Sequence, residues 1–362
     1  MKQREIRENE ATIPDSVLSA SIRATSLLRM RAPELITKSL SSILLVFICL
    51  SGMSACTGLR TSQGPQLHLE EVHLFGAKRI AFSPAGDRLA SGGQQGDVRI
   101  WAIPDGENLA VLDGHNRPVS GLAWLDDDHL VSADTQGLLR VWDTAAGELV
   151  TEFRTGQITS MALLPWPARI VVGHATGKLR IYSWPDFSLL AETGLQDAVL
   201  SVAVEPQQQL IAVATDDRRV RLFDARLAPL RELQTPPGKV FELRFAPDGR
   251  QLAGGGWFRV FLWSPASGVL ETRDSGHFGA TASLDYSPDG QQLASIGRIT
   301  SATVQVTDVA TGQLDRRLAP QPLCGWHVRF SPDGRYVASS SEDGSVLLYD
   351  ITVPYRPTWY HD

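Results

Sequence analysis

The sequence predicts an all-β protein made of seven consecutive four-stranded units between residues 66 and 350. The first observation behind this is a short alternating strand ending in an aromatic-acidic pair, clearest in Leu139-Arg140-Val141-Trp142-Asp143. Versions of that ending stand at Trp101-Ala102, Trp142-Asp143, Tyr182-Ser183, Phe223-Asp224, Trp263-Ser264, Thr307-Asp308 and Tyr349-Asp350, at steps of 41, 40, 41, 40, 44 and 42 residues. A period that regular marks a repeat architecture. The second observation is a turn signal upstream of most endings: Ser83-Pro84-Ala85-Gly86, Ala246-Pro247-Asp248-Gly249, Ser287-Pro288-Asp289-Gly290 and Ser331-Pro332-Asp333-Gly334. Pro presets φ and Gly supplies positive φ, so each marks a tight hairpin. The third is composition: 31 Gly, 21 Pro and alternating Val, Leu and Ile suit units that bury their faces against their neighbours.

With these units and endings, residues 66–350 resemble the WD-repeat β-propellers, which implies seven blades in one closed ring. Taken in order, the chain opens with a segment outside that ring. Ile43 to Leu50 is an apolar run preceded by Arg31 and Lys38 and followed by small residues, the layout of a signal peptide; it is short against the ~20 residues of a membrane span. Met53-Ser54-Ala55-Cys56 resembles the lipobox of bacterial lipoproteins, with Met53 where that family most often has Leu, and this implies lipidation of Cys56. Residues 1–55 are therefore expected to be a leader, with Met30 the better-proportioned start, and 56–65 a flexible tether. An uncleaved anchor or ordinary signal peptide is the alternative.

Gln66 to Leu74 reads as a strand without partners before it, while Tyr349-Asp350 lacks a fourth strand after it. In the family this resembles, the N-terminal strand completes the last blade and removes an exposed edge. Within the first unit, alternation places strands at Arg79 to Phe82, Arg88 to Gly92, Val98 to Trp101 and Leu109 to Leu112. Residues 351–362, with Pro354 and Pro357, read as a tail on the last blade.

The net charge is −6, or −8 from Cys56 onward, which argues against nucleic acid as a partner. Arg99, Arg140, Arg180 and Arg221 each stand two residues before the aromatic position and read as structural charges. Of Cys49, Cys56 and Cys324, only Cys324 keeps a free thiol if Cys56 is lipidated, so no disulfide framework is available. The resemblance also implies a structural hydrogen-bonded set of His, Ser, Asp and Trp within a blade. Gly114-His115, Ser132 and Trp142 supply three members, with Gln136 at the turn position and Asp134 two residues earlier. Gly276-His277 and Ser295 recur in the sixth unit without a turn Asp. Such a set invites comparison with a catalytic triad, but its positions match the structural network.

Phosphate loops, paired cysteines and closely spaced histidines are all missing from the sequence, and among the expected inner strands only Asp285 offers a ligand. No catalytic residue, metal or cofactor is therefore assigned. Two functions remain. One is a non-catalytic scaffold, monomeric and lipid-tethered to the outer membrane on its periplasmic face (or to the inner membrane), presenting loops to a protein partner. The other is a periplasmic propeller hydrolase or lactonase, or a sugar-binding protein, with a site at the channel mouth. Most loops on the rim called the top are polar, but three adjacent blades carry aromatics there: Trp257 and Phe258, Phe278, and Trp326. These form an expected partner-binding patch with Arg298 at its rim, unless they fold inward to plug the channel.

Overall fold

The computed structural model describes residues 64–354 except 71, 165–167, 206, 208, 300 and 301; the leader, Cys56 and most of the tether lie outside the described residues. Seven antiparallel four-stranded sheets follow one another around a channel, a seven-bladed β-propeller of WD-repeat type. Blade 1 comprises Ala77–Phe82, Arg88–Gly93, Val98–Ala102 and Asn108–Leu112 from the channel outward, close to the strands that alternation predicts.

Each blade buries its two middle strands between neighbours and leaves its outermost strand to solvent. Ala90, Val98, Ile100 and Leu112 of blade 1 pack against Val119, Trp124, Leu130 and Trp142 of blade 2, all buried. The same arrangement joins Ala294, Ile296, Val304 and Val306 of blade 6 to Val328, Phe330, Val337 and Tyr349 of blade 7. The cores therefore lie between sheets, so a blade is stable only in company.

The repeated endings have a local cause. Asp143 Oδ1 accepts the amides of Ala145 and Ala146, at 3.0 and 2.9 Å, and Asp224 Oδ1 those of Arg226 and Ala228, both at 2.8 Å. The acid closes the turn into the outermost strand. The aromatic before it reaches inward: the Trp101 and Trp142 indoles donate to Ser91 and Ser132 at 2.9 and 2.8 Å. The four Pro-Gly turns form at the opposite ends of the inner strands, with Gly86, Gly249, Gly290 and Gly334 at φ +79, +69, +72 and +73.

The ring closes through Leu67–Leu69, antiparallel to Val346–Asp350 with Leu67 opposite Leu348 and Leu69 opposite Val346. This strand is shorter than the Gln66 to Leu74 expected. Val72 and His73 leave it to enter the blade 7–blade 1 core, while Leu74 and Phe75 are exposed and Phe75 takes φ +63. The chain needs this loop to pass from the rim of blade 7 to the inner strand of blade 1. At the other end Ile351 is buried against blade 7 and its carbonyl accepts from Arg316; residues 355–362 are outside the described set.

Candidate binding site at the channel mouth

The inner strands carry a repeated defect. In blades 1, 2, 3, 4, 6 and 7 the ladder between first and second strand skips one residue near its start, between 77 and 79, 119 and 121, 158 and 160, 199 and 201, 281 and 283, and 325 and 327. A β-bulge leaves its extra residue unpaired and turns it out of the ladder. Five of the six bulge residues, Lys78, Ser120, Thr159, Ala282 and Trp326, line one cavity of about 630 Å³ at that end of the channel, as does Phe241 at the same point of blade 5. One position in each of six blades, all but blade 4, thus builds the mouth. Its character changes around the ring, from small and polar in blades 2 and 3 to aromatic and cationic across blades 5, 7 and 1.

Trp326 is half-buried and carries two cations over its ring: the Arg298 guanidinium carbon lies 3.7 Å from the ring centroid and Lys78 Nζ 4.5 Å. Trp257 stands edge-on to Phe241 with centroids 6.1 Å apart and lies 6.0 Å from Phe258. Trp257 is 47% and Phe258 50% exposed, so these rings do not plug the channel. The turn holding them is tight: Phe258 takes φ +58, and Ile299, also on the mouth, φ +93. Left-handed backbone at an aromatic and at a β-branched residue is strained, and such strain gathers at binding and catalytic sites. Of the residues expected to form a patch, Trp257, Trp326 and Arg298 line the cavity. Phe258 touches it only through Trp257, and Phe278, 76% exposed, does not line it. Lys78 was missed because a bulge breaks the two-residue alternation from which inward-facing positions are read, and Phe241 because it stands just before its strand, Glu242–Phe245.

Below the mouth the channel wall is knit by a second repeated position. Ser160 Oγ accepts the amide of Val202, Ser201 Oγ that of Leu243 and Ser283 Oγ that of Val328, at 3.0, 2.9 and 3.2 Å, each from the next blade. In blade 5 this place is taken by Glu242, whose Oε2 accepts from Leu284, and in blade 7 by His327, whose Nδ1 accepts from Ile80 of blade 1. Arg329 Nη2 lies 2.6 Å from Glu242 Oε1, and Asp285 Oδ2 accepts the Phe330 amide at 2.9 Å. Burial raises the Asp285 carboxyl. It would raise Glu242 too, but Arg329, His327 and Arg244 hold Glu242 well below the usual carboxylate range. Burial likewise keeps His327 neutral. These groups are a structural belt, which accounts for the lone ligand-like Asp285. Among the described residues no three His, Cys, Asp or Glu side chains gather as a metal site.

The His–Ser–Trp sets also stand apart from the mouth. His115 Nε2 and Ser132 Oγ are 2.7 Å apart, and Trp142 donates to the same oxygen; His115 Nδ1 is 3.4 Å from Asp134 but without hydrogen-bond alignment. A complete set sits in blade 1, unforeseen: His73 bonds Ser91 at 2.8 Å and Asp97 at 2.6 Å, and Trp101 donates to Ser91. His73 follows Val72 rather than Gly, so the Gly-His signal is missing. The arginine row is paired within its blades, Arg99 with Asp97, Arg140 with Glu152, Arg180 with Glu192 and Arg221 with Asp217.

Comparison with known proteins gives a match to the WD domain, G-beta repeat, over residues 67–102, 106–143, 189–224 and 324–350. The chain is similar to periodic tryptophan protein 2 of Arabidopsis thaliana, 23% identical over 78% of this chain and 30% of the relative. It is similar to mouse telomerase protein component 1, 25% identical over 75% of this chain and 10% of the relative, and to human striatin-4, 28% identical over 55% and 30%. The chain thus spans less than a third of the length of each. These relatives are eukaryotic proteins, and none is named as a lipoprotein or an envelope component. They overturn the expectations of a bacterial lipoprotein signal, lipid anchorage at Cys56, an outer- or inner-membrane periplasmic location, and a scaffold or enzyme of the envelope. A short apolar run and one small-residue-Cys tetrapeptide were too little sequence to carry that resemblance. No helix among the described residues is long and apolar enough to cross a membrane. The expectation of a solitary propeller unconnected with nucleic acid is overturned as well, since one relative is named as a component of telomerase.

Proposed function

We propose that this propeller is a non-catalytic docking module that seats a protein partner on the channel mouth around Trp257, Trp326 and Arg298. The observation that carries this is the half-exposed Trp257–Phe258 pair beside a cavity whose other wall is Trp326 under Arg298. Exposed aromatics lose free energy to water unless covered, and Trp and Arg dominate interface hot spots. Similarity to a protein named as a telomerase component supports work within an assembly. A photocrosslinking amino acid placed at Phe258, and in a second protein at Asp289 on the opposite rim, tests it. Partner adducts from position 258, reduced at least fivefold by Trp257→Ala at unchanged melting temperature, are expected. Adducts chiefly from position 289, or indifferent to Trp257→Ala, would overturn the assignment.

A further inference from the structure

We infer that the mouth recognises a peptide segment through an acidic side chain, its carboxylate entering between Arg298 and Lys78 while a neighbouring apolar side chain covers Trp257. This rests on the docking function above and names the partner's chemistry. The cavity wall holds Lys78, Arg79 and Arg298 and not one Asp or Glu. Elsewhere on the blades arginines are matched by carboxylates, as in the Arg99, Arg140, Arg180 and Arg221 pairs. Among the described residues no carboxylate lies within 4.0 Å of Lys78 or Arg298, and Arg79 spends its Nε on the Ser120 carbonyl at 2.9 Å. Burial, Arg79 and Arg298 together lower the Lys78 ammonium, with Glu342 acting the other way: the cations repel one another where an anion would relieve them.

The channel beneath adds to this field. Arg244 and Arg329 face Glu242 and Asp285, so that with the mouth five cationic side chains stand against two carboxylates, in a chain whose net charge is −6. A local sign opposite to that of the whole molecule, focused by low-dielectric walls, selects an anionic ligand.

The shape of the site favours a carboxylate on a peptide. Arg298 holds its guanidinium carbon 3.7 Å from the Trp326 ring centroid, and a guanidinium is a planar multi-donor fork, the match for a carboxylate. The Trp326 indole N–H is buried and has no hydrogen-bond partner. Val119, Ile158, Phe241, Trp257 and Ile299 supply an apolar part of the wall, beside the hydroxyls of Ser120, Thr135 and Thr159, and suit the side chain next to the acid. A nucleic acid strand would need a row of free cations along its path, whereas here they converge on one pocket.

Selection of a random unphosphorylated peptide library on the full chain, in parallel with an Arg298→Glu variant, tests the inference. Peptides with Asp or Glu beside a Leu, Phe or Trp are expected from the parent chain, and Asp or Glu should be lost, with Lys or Arg gained, on Arg298→Glu. The best peptide resynthesised with Gln or Asn for its acid should bind at least tenfold more weakly, and Lys78→Ala should weaken the acidic peptide about fivefold without lowering the melting temperature. Selected peptides free of acidic residues, or equal binding of acid and amide forms, would overturn the carboxylate assignment. If those peptides still require Trp257, the docking function stands without it; if they ignore Trp257 as well, both fall. Tighter Arg298-dependent binding of a single-stranded RNA oligonucleotide, or of the phosphoserine form of the peptide, would overturn it in favour of that anion.

Discussion

At the scale of the residue, His277 and His115 work as neutral hydrogen-bond partners. His277 Nε2 meets Ser295 Oγ at 2.9 Å, and Gln305 stands 3.3 Å from its Nδ1 where blade 1 has Asp97 beside His73. Burial pushes His277 down to about 4, with Arg317 acting the same way; burial also takes His115 to about 4 against the opposing pull of Asp134. The unfolded chain therefore takes up these protons first as pH falls. Stability from each imidazole is complete above pH 6.5 and lost progressively down to pH 4, by about 3 kcal/mol at most per residue. Urea denaturation between pH 4 and pH 7 should show stability falling with acid, and His277→Gln should flatten that slope. A slope unchanged by the substitution would mean His277 titrates normally and is not held neutral by the fold.

At the scale of the element, the closing strand is the shortest part of the ring and has one of the largest tasks. Leu67 and Leu69 are half-buried against the blade 7–blade 1 core, and without them Val346–Asp350 becomes an open edge. Deletion of residues 66–69 is expected to cost about 2–4 kcal/mol for two partly buried leucines and their ladder, and to promote edge pairing between molecules. A melting temperature within a few degrees of the full chain, with unchanged size-exclusion behaviour, would show that Val72 and His73 alone hold the seam. This element also shows what the sequence discloses. Blade number, hairpin turns and the need for a closing strand are legible because Trp142-Asp143 and its counterparts repeat a local turn chemistry. The strand's end is not, because Val72 and His73 are apolar or buried for a tertiary reason. Lys78 escapes notice similarly: a bulge between Ala77 and Arg79 shifts the inward face by one residue, and no local pattern announces it.

At the scale of the whole molecule, the seam between blades 7 and 1 is fastened on the outside by Leu67–Leu69 and on the channel side by His327, which accepts from Ile80. The belt that runs on from there explains why charged groups sit inside the channel. Glu242 of blade 5 accepts from blade 6 through Leu284 and pairs with Arg329 of blade 7, so one carboxylate spans three blades. Burial lowers Arg329 to about 10, still charged at neutral pH, and that charge needs its counter-ion. Removing one member of a buried pair leaves the other uncompensated, which costs about 3–5 kcal/mol, whereas replacing both is often near neutral. Glu242→Gln keeps an oxygen for the Leu284 amide but strands Arg329, and should lower stability by that amount in urea denaturation. Arg329→Met strands the carboxylate and should do likewise. The double variant should recover at least ~2 kcal/mol relative to the sum of the two. Additive losses would mean that Glu242 and Arg329 are held separately by their own blades, and that the ring owes its closure to the interblade apolar cores and the Leu67–Leu69 strand alone.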